Sequence, residues 1–330
     1  MIRTRVIGTG SYLPDRVISN HEVAASLGVT ADHIERLTGI QERRWAADHE
    51  AASDLAVKAA EQALGSAGCA ATAVDAIIVS TTSPDRSFPS TACYVQRSLG
   101  AKGVGAFDIS ASCSGFLYGL SMADAMIRSR QILTCLVVAS EVKSRFLNRA
   151  DPDTAMLFGD GAGAVVLRGE EMQSPQSSGI LAVRLHADGS RHDLLRVPAG
   201  GSRRPTSQAT VSEGRHALEM QGAPLFRVAI RRIEQGVRDI LKEFGVKLEE
   251  IQQVVLHQAN GRILAQLATR LGLPSAKLSS VIDRYGNTSS ASVPIALDAA
   301  VRGGKIASGD LILIGSFGGV LTWATALVRW

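Results

Sequence analysis

Gly105-Ala106-Phe107-Asp108-Ile109-Ser110-Ala111-Ser112-Cys113-Ser114-Gly115-Phe116 reads as a strand that ends in small residues and passes into a helix. Working outward, the same alternation recurs on both sides. Ala76-Ile77-Ile78-Val79 is a strand-type apolar run, followed by a helix-like stretch from Thr91 to Leu99. Downstream, Phe116 to Arg128 has helical period, and Leu136-Val137-Val138-Ala139 and Gly163-Ala164-Val165-Val166-Leu167 are strands. Short apolar runs alternating with Ala-rich helical segments mark an α/β fold with buried strands.

The second half repeats the order. Val254-Val255-Leu256 is followed by a helix from about Arg262 to Leu271, then the run from Leu278 to Ile282 and a helix from Val293 to Val301. Leu311-Ile312-Leu313-Ile314 and Thr325-Ala326-Leu327-Val328 close it. Laid on each other, Cys113 matches Asn287 at an offset of 287 − 113 = 174, and Val137 matches Ile312 at 312 − 137 = 175. A steady offset of this size predicts an internal duplication, with one half over residues 1–172 and the other over 173–330. Residues 173–179 read as the junction, and the stretch from about Pro198 to Gly214 as an excursion over the surface.

The whole chain supports two such halves. It has 330 residues, 45% hydrophobic and 20% charged, which excludes a disordered chain and leaves about two domains of core or one duplicated unit. Lys and Arg exceed Asp and Glu by 35 − 31 = 4 with no long basic run, so nucleic acid is not the expected partner. The start Met1-Ile2-Arg3-Thr4-Arg5 leads into a short apolar run, and no stretch reaches the roughly 18 apolar residues of a membrane helix. The expectation is a cytoplasmic protein that does not cross a membrane. Cys69, Cys93, Cys113 and Cys135 form no CxxC pair, which argues against a zinc site and a disulfide framework; no metal is expected.

Three residues stand where chemistry is placed in such folds. Cys113 lies where a helix begins, and there the dipole and free backbone N–H groups favour thiolate over a thiol with a pKa of about 8.5. By itself it reads equally as a small core cysteine. His257 follows Val254-Val255-Leu256 at a strand's C-terminal end. Asn287, in Tyr285-Gly286-Asn287-Thr288, reads alone as a turn and cap, but the duplication brings it to the strand end that matches the one before Cys113. Converging, a thiol and two neutral hydrogen-bonding side chains suit thioester exchange followed by stabilisation of an enolate. Two glycine-rich stretches are set aside. Gly8-Thr9-Gly10 has Leu13 in place of the third glycine of a dinucleotide loop, and Phe158-Gly159-Asp160-Gly161-Ala162-Gly163-Ala164 lacks a phosphate-binding Lys and reads as a tight turn near the site.

With these stretches together the chain resembles the β-ketoacyl-acyl-carrier-protein synthase III family, condensing enzymes of the thiolase superfamily. The marks run nearly end to end: Gly8-Thr9-Gly10-Ser11-Tyr12-Leu13-Pro14, Thr38-Gly39-Ile40 with Arg43, Cys113-Ser114-Gly115-Phe116, the Phe158–Ala164 stretch, His257-Gln258-Ala259-Asn260, Gly286-Asn287-Thr288-Ser289 and Phe317-Gly318-Gly319. The resemblance implies a thiolase-like, five-layered α-β-α-β-α fold of two duplicated halves, and a homodimer. It implies an acyltransferase that starts fatty acid synthesis without a cofactor, taking an acyl thioester and malonyl thioester on acyl carrier protein.

The resemblance also implies residue roles. Cys113 is acylated, His257 and Asn287 bind the malonyl thioester oxygen, and the backbone N–H groups of Cys113 and Gly319 form the oxyanion hole. Phe317 matches the residue beside the malonyl carboxylate, and Phe88 one that crosses from the partner subunit to close the acyl pocket. Arg227, Arg262 and Arg270 fall where the family carries basic residues near the tunnel mouth. The chain departs from the pattern at four nucleotide and pantetheine contacts, where it has His33, Leu37, Pro152 and Ala223. Those departures leave two donors open: an acyl-CoA, or an unusual, carrier-bound acyl group in a specialised pathway.

Overall fold

The apolar runs at 76–79 and 136–139 lie side by side as parallel strands with both faces covered, which is why neither shows polar alternation. The computed structural model describes residues 2–174, 176–319 and 321–330; Met1, Val320 and Pro175, a member of the expected junction, lie outside the described residues.

The first sheet contains β1 (Ile2–Tyr12), β2 (Ala76–Ser80), β3 (Gly105–Ile109), β4 (Thr134–Glu141) and β5 (Gly161–Glu171), in the order β1-β5-β4-β2-β3. The second contains β6 (Gly179–Ala187), β7 (Ile251–Leu256), β8 (Leu278–Ser279), β9 (Leu311–Gly318) and β10 (Thr322–Arg329), in the order β6-β10-β9-β7-β8. Strand directions also agree: β2 is parallel to β3 and β4, β7 is parallel to β8 and β9, and the remaining pairings are antiparallel.

Three helices accompany each sheet: α1 (Ala52–Ala67), α2 (Thr91–Ser98) and α3 (Gly115–Arg128), then α4 (Gly222–Phe244), α5 (Gly261–Leu271) and α6 (Ser292–Arg302). Helices α1 and α2 cover the outer face of the first sheet, and α4 packs on the second with α5 against it. Between the sheets, α3 and α6 each touch strands of both, so the layers run α-β-α-β-α as the resemblance implies. The strands divide their side chains accordingly. Ile77, Val79, Leu136 and Val138 join the outer core under α1, while Ile78 and Val137 point into the central layer.

Gly8 and Gly10 have a packing role here. A Cβ at either would stand 2.4 Å from a carbonyl oxygen of α1, at Ala63 and Ala59 respectively, so the glycines let the helix backbone lie on β1. The tight turn expected at 158–164 covers only its first part, because β5 begins at Gly161. The surface excursion over 198–214 includes a helical turn, Gln208–Ser212, capped by Ser207.

The element bounds correct the offset. Strands β4 (Thr134–Glu141) and β9 (Leu311–Gly318) are both eight residues long and begin 311 − 134 = 177 residues apart, so the counterpart of Val137 is Ile314, not Ile312. Likewise the 3-10 turn Ser112–Ser114 before α3 matches Ser289–Ala291 before α6, at 289 − 112 = 177. Cys113 therefore corresponds to Ser290. The expected strand over 278–282 is only Leu278–Ser279, and a helical turn, Ile282–Tyr285, intervenes before Asn287. Asn287 stands three residues before Ser290, so matching it to Cys113 gave too short an offset.

Candidate active site

The Cys113 turn is held from three sides. Ser112 adopts φ +51°, an uncommon conformation for a residue with a Cβ. Thr322 Oγ1 donates to Ala111 O at 2.8 Å, and Ser114 Oγ donates to Thr322 O at 3.0 Å. A Cβ at Gly318 would lie 2.8 Å from Ser112 Cβ and 3.0 Å from Cys113 N, so the end of β9 must be glycine for the turn to sit there. Cys113 itself is buried, its Sγ 3.4 Å from Ser289 Oγ. Burial pushes its thiol up, against the downward pull of the Ser289 hydroxyl and the Lys143 cation. The thiolate preference expected from a helix start is thus outweighed by desolvation, and the resting group is a thiol.

His257 extends the ladder of β7, donating its backbone N–H to Gly315 O at 2.8 Å. Its Nδ1 lies 2.6 Å from Ser292 Oγ, which also accepts from Gln258 N at 3.2 Å. The Ser292 hydroxyl hydrogen has no other acceptor among the described residues, so we assign it to Nδ1 and the ring hydrogen to Nε2. Burial lowers the imidazole to about 3, so His257 is a neutral N–H donor at ordinary pH.

Asn287 is set by its backbone. Its N–H donates to Leu157 O at 2.9 Å, and its carbonyl accepts from Gly159 N at 3.1 Å. These segments approach closely because both neighbours are glycine: a Cβ at Gly286 (φ +63°) would be 2.8 Å from Leu157 O, and one at Gly159 would be 2.3 Å from Tyr285 O. Arg43, fully buried beside them, donates to Asn20 Oδ1 and Met156 O at 2.8 Å each. In the side chain, Asn287 Oδ1 accepts Ser289 N–H at 2.8 Å, which leaves the amide hydrogens uncommitted among the described residues.

Cys113, His257, Asn287, Phe317 and Gly319 line one cavity of about 450 Å³. Apolar Met156, Phe158, Leu195 and Met220 share the lining, and exposed Arg227 and Arg262 belong to it as well. Gly319 N–H donates to Ser112 Oγ at 3.2 Å, and a Cβ there would collide with Leu195. Two expected residues, Arg270 and Phe88, are not part of the cavity: Arg270 is exposed, its Nε donates to Glu234 at 2.7 Å, and it lines a neighbouring hollow with Arg191 and Arg231. Phe88 is 86% exposed and lines neither hollow. Of the four departures, Leu37 and Ala223 line the cavity; His33, with Nδ1 3.2 Å from Arg36, and Pro152 do not.

Sequence reasoning missed Ser289, Ser292, Glu141 and Lys143. The signal was present for the last two, since charged residues at the C-terminal end of the apolar run 136–142 sit where these sheets gather their chemistry. Among the described residues no group of three His, Cys, Asp or Glu side chains could hold a metal ion, and no helix is long and apolar enough to cross a membrane.

Comparison with known proteins finds relatives in sequence and in fold. Two family profiles match: 3-oxoacyl-[acyl-carrier-protein (ACP)] synthase III over residues 107–189, and its C-terminal part over residues 241–330. A β-ketoacyl-[acyl-carrier-protein] synthase III of Xanthomonas campestris pv. campestris is 44% identical over 329 residues, covering 100% of this chain and 99% of that protein. One of Erythrobacter litoralis is 44% identical over 330 residues, covering 100% of each. Among solved structures, the 3-oxoacyl-[acyl-carrier-protein] synthase III of Aquifex aeolicus VF5 superposes with a TM-score of 0.90 at 43% identity, covering 99% of this chain and 100% of the other. The priming β-ketosynthase of the R1128 polyketide biosynthetic pathway gives 0.90 at 35% identity, covering 99% and 96%.

Proposed function

The chain belongs to the 3-oxoacyl-[acyl-carrier-protein] synthase III family, and from that premise we propose how its residues divide the work. The enzyme condenses an acyl primer with malonyl-ACP to give 3-ketoacyl-ACP, the step that initiates fatty acid synthesis. The observation that carries the assignment of roles is one cavity lined by a thiol and by two neutral side chains with uncommitted N–H groups.

Cys113 Sγ attacks the primer thioester carbonyl, the bond to the donor sulfur breaks, and the thiol proton leaves with that sulfur. Malonyl thioester then binds with its carbonyl oxygen between His257 Nε2–H and Asn287 Nδ2–H. As carbon dioxide departs, those donors meet the negative charge that gathers on the oxygen. The enolate carbon attacks the acyl carbonyl, a C–C bond forms, and the bond to Cys113 Sγ breaks. The tetrahedral oxyanions of both halves are met by the amides of Cys113 and Gly319, the latter exchanging its bond to Ser112 Oγ. This chemistry needs no cofactor, since decarboxylation supplies the nucleophile.

Phe317 lies beside the malonyl carboxylate in this reading. Arg227 and Arg262 receive the phosphopantetheine and the acidic carrier protein, with Arg270 an outer contact. Exposed Phe88, three residues before Thr91, whose N–H donates to Asp108 of the edge strand β3, closes the acyl pocket of a second copy in a homodimer. We take residues 1–172 and 173–330 as the duplicated halves, and the cytoplasm, where carrier-bound thioesters are used, as the site of action.

A second reading rests on the departures. His33 and Pro152 lie outside the cavity and Leu37 offers no charge, so the nucleotide of coenzyme A loses its usual partners. A primer delivered on a carrier protein needs none of them. Intact-mass analysis of the enzyme with acyl-CoA and acyl-ACP panels, then malonyl-ACP, tests both. An adduct absent from Cys113→Ala and cleared to a 3-ketoacyl product supports the roles given; adducts from ACP donors alone select the second reading, and no Cys113-dependent adduct overturns both.

A further inference from the structure

Behind the Cys113 turn lies a charged pair that the condensing chemistry leaves unused. Glu141, the last residue of β4, and Lys143 are both buried, and Lys143 Nζ stands 3.2 Å from Glu141 Oε2. Hydroxyls crowd the carboxylate: Ser83 Oγ donates at 2.6 Å, Ser290 Oγ at 2.8 Å and Ser289 Oγ at 3.2 Å. Thr82 donates its backbone N–H and its hydroxyl to Glu141, and the same hydroxyl accepts from Lys143 Nζ. Ser289 Oγ is also the partner of Cys113 Sγ, at 3.4 Å. A hydroxyl has one hydrogen, and beside an anion Ser289 gives it to Glu141, so its lone pair receives the Cys113 S–H.

We propose that Glu141 and Lys143 are a positioning pair for Cys113, acting through the Ser289 hydroxyl: they turn the thiol hydrogen toward Ser289 and leave the sulfur lone pairs to the cavity. The proposal rests on the reading of Cys113 as the nucleophile. It also assigns each charge a sign of action, because the Lys143 cation eases ionisation of the sulfur and the Glu141 carboxylate opposes it. Burial works against the carboxylate, yet Lys143 and the hydroxyls hold it below the usual range, so it stays anionic. The other titratable side chains that line the cavity are His257, which is neutral, and the exposed Asp153, Arg227 and Arg262. The end of β9, the start of β10 and the first three residues of α3 and α6, packed around the turn, bring no ionisable group among the described residues.

The test is the pH dependence of Cys113 alkylation by iodoacetamide in the full-length enzyme, read at that cysteine by peptide mass. Glu141→Gln is expected to lower the midpoint by about one pH unit, on the order of tenfold faster alkylation below it, and Lys143→Met to raise it by a similar amount. The double variant returns near the wild type. Ser289→Ala, which leaves the charged pair in place and removes the acceptor of the S–H, is expected to slow acylation by about tenfold with unchanged thermal unfolding. Coincident midpoints in folded single variants overturn the proposal. Should those variants not fold, an unchanged acylation rate in Ser289→Ala overturns it instead. Failure of the nucleophile reading shows separately, as no acyl adduct on wild-type Cys113.

Discussion

The role proposed for His257 rests on its staying neutral. With the native imidazole at about 3 and an unfolded one near 6.5, the unfolded chain binds the extra proton between those values, so stability falls as pH drops from about 6.5 toward 3. Relative to His257→Gln, the wild type is expected to lose about 1.4 kcal/mol per pH unit over that window, seen as a steeper fall of the urea midpoint; parallel curves refute it. Above pH 6.5 the two curves run together. At this scale the sequence was legible for Cys113 and His257, because each directly ends a recognisable strand or turn. Asn287 was reached through an offset that the element bounds show to be wrong, and its place depends on the neighbouring Gly286 and on Arg43 and Gly159 far away in sequence. Glu141 carried a signal in its charge at the end of an apolar run, but its partners Ser289 and Ser290, some 150 residues later, come only from the fold.

Glycine at the element scale separates close approach from mere flexibility. Gly10→Ala puts a methyl 2.4 Å from Ala59 O and Ala63 N of α1, and the strand and helix must part. A loss of about 1–3 kcal/mol is expected by denaturant unfolding. Gly65 lies in α1 itself with nothing within 4 Å of its missing Cβ, so Gly65→Ala is expected to stabilise by about 0.5–1 kcal/mol. Equal effects at the two sites would refute the packing argument. The strands buried on both faces were legible from their continuous apolar runs. Helices α1 and α4 and strand β6 were not placed from sequence, since their pattern depends on which sheet face they cover, and β8 was read too long because Val281 and Ile282 are apolar in a helical turn.

The whole molecule shares one central layer. Phe116, Leu117 and Leu120 of α3 and Val293, Ile295 and Leu297 of α6 belong to a single core with strands of both sheets. Neither half can bury that face alone, so calorimetry is expected to show one cooperative transition, and a separately expressed 1–172 chain to remain unfolded; two resolved transitions would refute this. The five-layer order was legible through the family marks, and the like ordering of the sheets through the repeat, though not its true spacing of 177. That spacing carries a consequence for stoichiometry. A frame of this kind offers two equivalent seats for a reactive group, Ser112–Ser114 and Ser289–Ala291, each faced by the end of a corresponding strand. At one, β9 ends in Gly318 and leaves the seat open; at the other, 318 − 177 = 141, and the carboxylate of Glu141 fills it. On the proposed reading of Cys113 as the nucleophile, Ser290 in its place and Glu141 in that of Gly318 together break the equivalence, and a two-seated frame is expected to hold one acyl group at a time.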